Sequence, residues 1–414
     1  MRIRPFQVIR PASNRAASVS CPPYDVVTTE EARTLATGQP DSFLHVIRPE
    51  IGLPEGTAFN HDSVYEEAGR QFQRLLDEQV LTRDEVPSIA IYRLSWQGRS
   101  QFGIVCCCHV DEYDTNVIKK HETTREDKEN DRTRHLLAID AQPGPIFLTH
   151  RDLPEVDALV MMDTSGRPLC HFQSPDGVTH TIWNASDTQA YVDAFAGLPE
   201  AYVADGHHRT ASAARAARTR RTEHPDAEPD AEFNWFMTVL FPASQLNVLP
   251  YNRLVTDLGG LTEAQLLEQL ATVGTIEPTE DPTPDREGVV CFAFPSGWHR
   301  FTFDQAPDDA DPVAALDVAR LQHEVLAPML GITDPRTDTR LQFLGGIHGP
   351  EELMRRVRAG AAAVGCSMHP TAIEYMMDVS DAGLCMPPKS TWFEPKLRSG
   401  LFIHALDTPV PTGP

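Results

Sequence analysis

Tyr202-Val203-Ala204-Asp205-Gly206-His207-His208-Arg209, followed by the Ala-rich run Thr210 to Ala217, reads as a short strand, a sharp turn and the start of a helix. Three apolar residues precede an Asp that can cap the helix, and Gly206 lets a ligand or another backbone come close. His207, His208 and Arg209 then load the first turn with titratable and cationic side chains. The positive end of a helix dipole disfavours cations unless an anion offsets them, so backbone N–H groups and cations converge here as in a phosphate site. The plainer alternative is a capped helix with surface histidines.

Working outward, short strands are predicted over Ile3 to Ile9 and Phe43 to Ile47, with Pro22-Pro23-Tyr24-Asp25 as a rigid turn between them. Ser63 to Leu81 has helical periodicity, and Ile89 to Trp96 with Gln101 to Val110 reads as a hairpin. Strands and helices alternate irregularly, which predicts an α+β protein with a mixed sheet. After a strand at Phe233 to Phe241 a second lobe is expected, dividing the chain into 1–249 and 250–414. That lobe is expected to hold helices at Thr262 to Thr272, Ala314 to Leu330, Glu351 to Ala359 and Thr371 to Val379, with a strand at Ala362 to Cys366. The acidic, Pro-rich stretches Glu223 to Glu232, Glu277 to Glu287 and Asp304 to Asp311 are expected as surface loops.

The 414 residues carry a formal net charge of −23, which disfavours nucleic acid and anionic membranes as partners and confines phosphate recognition to a local, concave site. Met1 to Arg10 lacks the apolar core of a secretory signal and no run is long enough to span a bilayer, so a cytoplasmic protein is expected. Adjacent Cys106, Cys107 and Cys108 in an apolar strand read as a buried, reduced segment rather than a metal site.

Of 36 basic residues only five are Lys, at 119, 120, 128, 389 and 396, in two short windows. The first adjoins His121 to His135, a stretch without an apolar side chain. On a helical wheel at about 100° per residue, His121, Arg125, Lys128, Arg132 and His135 share one stripe. Either a solvated, charge-laced helix or a mobile cationic lid over an anionic ligand fits this pattern. The second window holds Lys389-Ser390-Thr391, which is either a surface turn after two prolines or part of the site. Neither a phosphate-binding GxxxxGK[ST] loop nor HExxH nor GxSxG occurs. The distributed carboxylates Asp25, Glu50 and Asp205, the cations His207, His208, Arg209 and Lys389, and the hydroxyls of Ser390 and Thr391 together supply what phosphoryl transfer requires.

At Asp205 to Arg209 the chain resembles the free-serine kinases of the ParB/sulfiredoxin-type superfamily, which carry a strand-DGHHR-helix element. Pro388-Lys389-Ser390-Thr391, followed by Pro395, is similar to their Pro-Lys-Thr-Thr segment, and Pro23-Tyr24-Asp25 to the Pro-His-Glu that holds their catalytic carboxylate. The whole chain also resembles a widespread bacterial family, from Arg2-Ile-Arg-Pro-Phe6 through His121-Glu-Thr-Thr-Arg125 and Gly144-Pro-Ile146 to Met386-Pro-Pro-Lys-Ser-Thr391. The kinase resemblance implies a ParB/sulfiredoxin-like core with an additional helical lobe, and Mg2+-dependent phosphorylation of free L-serine or a close amino acid by ATP or ADP. In that scheme Asp25, one methylene shorter than Glu, is the base, with Glu50 in reserve. Asp205 holds Mg2+ or activates the hydroxyl, Gly206 to Arg209 grip phosphates, and Lys389 to Thr391 hold the nucleotide. Sulfiredoxin chemistry is excluded because His207 stands where a Cys is needed. A ParB-like nucleotide-binding regulatory module without turnover is the alternative.

Overall fold

The computed structural model of the chain describes residues 1–305 and 311–407. The centre of the expected loop Asp304 to Asp311 thus lies outside the described residues. The chain forms two compact units, one from Met1–Leu246 together with the chain from Pro395 onward, the other from Asn247–Glu394. The segment after Pro395, read from the sequence as part of the second lobe, therefore belongs with the first.

The first unit is built on a mixed sheet. Its strands are β1 (Ile3–Arg4), β2 (Ala90–Trp96), β3 (Arg99–His109), β4 (Ile118–Lys119), β5 (Ile146–His150), β6 (Cys170–Gln173), β7 (Thr179–Asn184), β8 (Ala201–Asp205) and β9 (Trp235–Pro242). In space they run β4-β8-β5-β9-β3-β2-β7-β6, with β1 beside β3. Strand β8 is parallel to β4 and antiparallel to β5, and β5 is parallel to β9. The β2–β3 hairpin turns through Gln97 and Gly98, both at positive φ (49° and 77°), the conformation that two-residue hairpins favour. Cys106, Cys107 and Cys108 lie buried and free in β3.

Helices α1 (Asp62–Asp77), α2 (Glu126–Ile139) and α3 (His207–Glu223) belong to this unit, with α2 packed against both others. The buried face of α3 is a run of small residues, Ala211, Ala213, Ala214, Ala216 and Ala217, which lets the helix lie close to its neighbours in the core. Two expected strands come out differently. Pro5 follows β1, and Val8–Pro11 joins a separate four-stranded sheet with Leu81–Arg83, Ile403–Ala405 and Ala141–Gln142. Phe43 to Ile47, expected as a strand, contains a helical turn at Leu44–Ile47, because a short apolar run does not by itself distinguish a buried helix from a buried strand.

The second unit has a six-stranded antiparallel sheet, in the order Gly274–Thr279, Gly297–Phe303, Val289–Phe294, Val364–Met368, Tyr251–Val255 and Leu341–Gly345. Helix Gly349–Arg358 covers one face, with Leu353, Met354 and Val357 against Leu254, Ala293 and Leu344. Entry and exit strands of the unit pair with each other, Val248 with Phe393 and Leu249 with Trp392. Among the described residues no helix is long and apolar enough to cross a membrane.

Candidate active site

Asp205 is the last residue of β8, and Gly206 forms the turn at φ 97° and ψ 33°. The expectation that Asp205 caps α3 is corrected: Gly206, which has no side chain to cap with, occupies the cap position. Arg209 instead folds back under the turn. Its Nη2 donates to Asp205 Oδ2 at 2.7 Å and its Nη1 to the Pro145 carbonyl at 2.5 Å. The positive φ favours glycine at 206, and a Cβ there would also crowd the Arg209 guanidinium, 3.0 Å from its Nε.

The second cation at Asp205 arrives from the far end of the chain: Lys396 Nζ is 3.5 Å from Oδ1. Burial by itself pushes the Asp205 carboxyl up, but Lys396, Arg209 and His207 outweigh it and hold the group well below the usual carboxylate range. Burial likewise opposes the Arg209 charge, while Asp205 and Asp25 together hold its proton more tightly than usual.

The two imidazoles behave differently from the cations expected at a helix start. His121 and His207 meet edge to face with ring centroids 4.4 Å apart, and both are buried. Burial pushes His121 down to about 4, against the pull of Asp205 and a hydrogen bond to the Val203 backbone. Burial and then His121 push His207 well below its ordinary value. Both are therefore neutral at neutral pH, which removes the conflict with the helix dipole. His121 Nδ1, His207 Nε2 and Arg209 Nε are buried without a hydrogen-bond partner among the described residues. Glu122 Oε2 lies 3.8 Å from His207 Nδ1, and His208 Nε2 accepts the Arg125 backbone N–H at 3.1 Å.

Residues His121 to Arg125 are thus a non-helical strap across the start of α3, and helix α2 begins only at Glu126. The expectation of a helix from His121 without anchors is corrected, because polar contacts supply the anchoring. Asp131 accepts from the Tyr65 hydroxyl at 2.8 Å, His135 Nε2 bonds to the Val46 carbonyl at 2.7 Å, and Ser212 Oγ donates to the Glu129 carbonyl at 3.2 Å. Arg125, paired with Asp127, stays exposed, and Lys128 stands over the Phe59 ring at 4.8 Å.

Asp25 is exposed in the turn that follows the two prolines, and its charge acts on both Tyr24 and Arg209. Glu50 is buried elsewhere, accepting from Arg48 Nε at 2.7 Å, while Arg48 Nη1 donates to the carbonyls of Tyr24 (2.7 Å) and Val27 (2.9 Å). Glu50 therefore locks the Asp25 turn through Arg48. Arg132 stacks on the Tyr24 ring at 4.3 Å, and a cavity of about 40 Å³ lies between Tyr24, Arg132, His135, Arg209 and Ser212. Lys389, Ser390 and Thr391 are in the second unit. Lys389 has φ 59° with its ammonium 5.3 Å from the Tyr251 ring centre, and buried Ser390 donates to the Pro387 carbonyl at 2.6 Å.

The donors around Asp205 do not fit a protein-held Mg2+. Both carboxylate oxygens already face cations, the adjoining imidazoles are nitrogen ligands, and no cluster of three or more metal-ligating side chains occurs among the described residues. Lys396 is the site residue that motif reading missed. Its signal was the clustering of lysines, but the Pro-Lys-Ser-Thr match directs attention to Lys389.

This chain belongs to the family described as a protein of unknown function (DUF1015), which it matches over residues 3–319. No curated protein matches it. Among solved structures it is similar to a mutant free serine kinase in complex with AMP, at 11% identity and TM-score 0.37, covering 72% of this chain and 92% of that one. It is also similar to SbnI with a C-terminal truncation from Staphylococcus aureus, at 12% identity and TM-score 0.40, covering 74% and 90%. A conserved hypothetical protein from Pyrococcus furiosus matches at 11% and 0.36, covering 72% and 94%.

Proposed function

We propose that the first unit transfers a phosphoryl group from ATP or ADP to the hydroxyl of free L-serine or a close amino acid, giving O-phosphoserine. One observation carries this reading: Asp205 is clamped by Lys396 and Arg209 at a strand-to-helix turn, with buried polar atoms around it still unspent. Arg209 Nε offers a charge-assisted donor to a phosphate oxygen. His121, with one ring nitrogen bonded to the Val203 backbone, presents Nδ1 of a neutral ring as an acceptor for an O–H or N–H of the acceptor molecule.

Asp205 is too strongly held in its ionised form to be an effective proton acceptor, and it serves to orient Arg209 and Lys396. Asp25 then takes the hydroxyl proton: it is exposed, beside Arg209 in electrostatic terms, and not committed as Glu50 is. The Mg2+ of the reaction would be carried by the nucleotide phosphates rather than by Asp205.

The test is to incubate the purified protein with ATP or ADP, Mg2+ and a panel of free amino acids, and to look for a phosphoamino acid by mass spectrometry. Phosphoserine is the expected product. Nucleotide binding by calorimetry without any phosphorylated product overturns the kinase and leaves a binding module in its place.

A further inference from the structure

The second unit contains a cavity of about 350 Å³ that the phosphoryl-transfer reading does not use. Its apolar wall is Phe303, Leu316 and Pro370, and Arg286, Glu287 and Tyr375 stand at its rim, the Tyr375 hydroxyl donating to Glu287 at 2.9 Å. Among the polar side chains that line it, Asp317, Arg320 and His369 are unequally satisfied.

Asp317 accepts a single N–H, that of Gly288, on both carboxylate oxygens at 3.0 Å, and no ion pair joins it to a cation among the described residues. Burial, and to a smaller extent the Glu287 charge, pushes its carboxyl up, against the Gly288 bond and the charges of Arg320 and His369. Arg320, one helical turn along, lies over the Phe303 ring at 4.0 Å. Its Nε donates to Glu324 at 3.1 Å and its Nη2 to the Gln305 carbonyl at 2.7 Å. Nη1 bonds to none of the described residues and lies 3.9 Å from where a Cβ on Gly288 would be. His369 Nδ1 is buried with no partner among them. Directly after Arg320 the helix widens into a π turn at Leu321–Leu326, a geometry enriched at functional sites.

A carboxylate without a cation, a guanidinium nitrogen and an imidazole nitrogen without acceptors, and an apolar wall between them suit a ligand bearing both charges. We propose that this cavity binds a zwitterionic α-amino acid with a bulky apolar side chain. The ammonium meets Asp317, the carboxylate meets Arg320 Nη1 and His369, and the side chain lies on Phe303, Leu316 and Pro370.

Calorimetry on the full chain with L-phenylalanine and L-leucine tests this, against 3-phenylpropionate, which lacks the ammonium, and 2-phenylethylamine, which lacks the carboxylate. L-Phenylalanine is expected to bind at least about tenfold more tightly than either analogue. Asp317→Asn, which keeps an oxygen for Gly288, is expected to weaken L-phenylalanine about tenfold and leave 3-phenylpropionate unchanged. His369→Ala should weaken L-phenylalanine and leave 2-phenylethylamine unchanged. Absence of binding of both amino acids at millimolar concentration overturns the proposal, as does equal binding of the single-charge analogues. So does an unchanged affinity for L-phenylalanine in folded Asp317→Asn. Should that variant fail to fold, the analogue series on the unmodified chain decides alone.

Discussion

Asp205 in the first unit and Asp317 in the second are both shielded carboxylates at the edge of a recess, yet they are displaced in opposite directions. Burial raises both. Asp205 also has Arg209 at 2.7 Å and Lys396 at 3.5 Å, whereas Asp317 has a backbone N–H and more distant charges. The difference teaches that cations within contact distance, not depth, decide the sign of the shift. It also separates what each site lacks: around Asp205 the negative charge is already met and donors remain for an anion, while Asp317 still wants a cation.

The sharpest break in this comparison is kinetic. In the first unit Asp25, not Asp205, is expected to handle the proton, so Asp25→Asn should cut turnover by about 10²-fold with nucleotide affinity nearly unchanged. Steady-state rates and calorimetry on the same preparation read both. Glu50→Gln should act instead through a loosened Asp25 turn, visible as lower stability. If it abolishes turnover without any loss of stability while Asp25→Asn does nothing, the proton acceptor has been misassigned.

The next largest effect is on folding. Because the folded Asp205 is depressed, its contribution is present at pH values above the ordinary carboxylate range and is lost as pH falls through the folded value. Asp205→Asn should therefore cost about 2 kcal/mol in urea unfolding at neutral pH, with the gap to the unmodified chain closing below about pH 4. A gap that persists undiminished in acid means that shape, not charge, is being measured.

For Asp317 the sign is reversed. Its raised folded value contributes stability at low pH that is lost as pH rises through that value, so the ionised group is a cost at neutral pH. Asp317→Asn should leave stability unchanged or raise it by less than about 1 kcal/mol. A clear loss would show a pairing that sets Asp317 alongside Asp205.

The smallest effect is confined to a few amides. In the strap and first turn over residues 121–128 only His121 is buried and the rest are exposed or half-buried, whereas Asp131, Thr133 and His135 are buried. Hydrogen exchange should slow in 121–128 on saturation with nucleotide and acceptor, and residues 131–139 should already be protected. Equal behaviour of both segments would count against a ligand-responsive strap.

What was legible in the sequence follows local chemistry. The β8–Gly206–α3 element could be read because apolar residues, a turn glycine and an Ala-rich helix are contiguous, and the β2–β3 hairpin because Gln97-Gly98 separates two apolar runs. Val289–Phe294 was missed as a strand because every residue in it is buried and no alternation marks it. The burial of His121 could not be foreseen in a run without apolar side chains, since the contacts that bury it come from the DGHHR turn more than eighty positions later. Nor does any spacing rule connect Lys396 to a carboxylate 191 positions away.

That separation bears on the order of events during synthesis. Asp205, Gly206 and Arg209 leave the ribosome together, and the whole of Asn247–Glu394 must follow before Lys396 and strand Ile403–Ala405 are delivered to the first unit. A chain that ends before residue 396 lacks the second cation and the strand that joins Val8–Pro11 to Ala141–Gln142. The charge balance at Asp205 is therefore complete only after the chain has been made through Lys396.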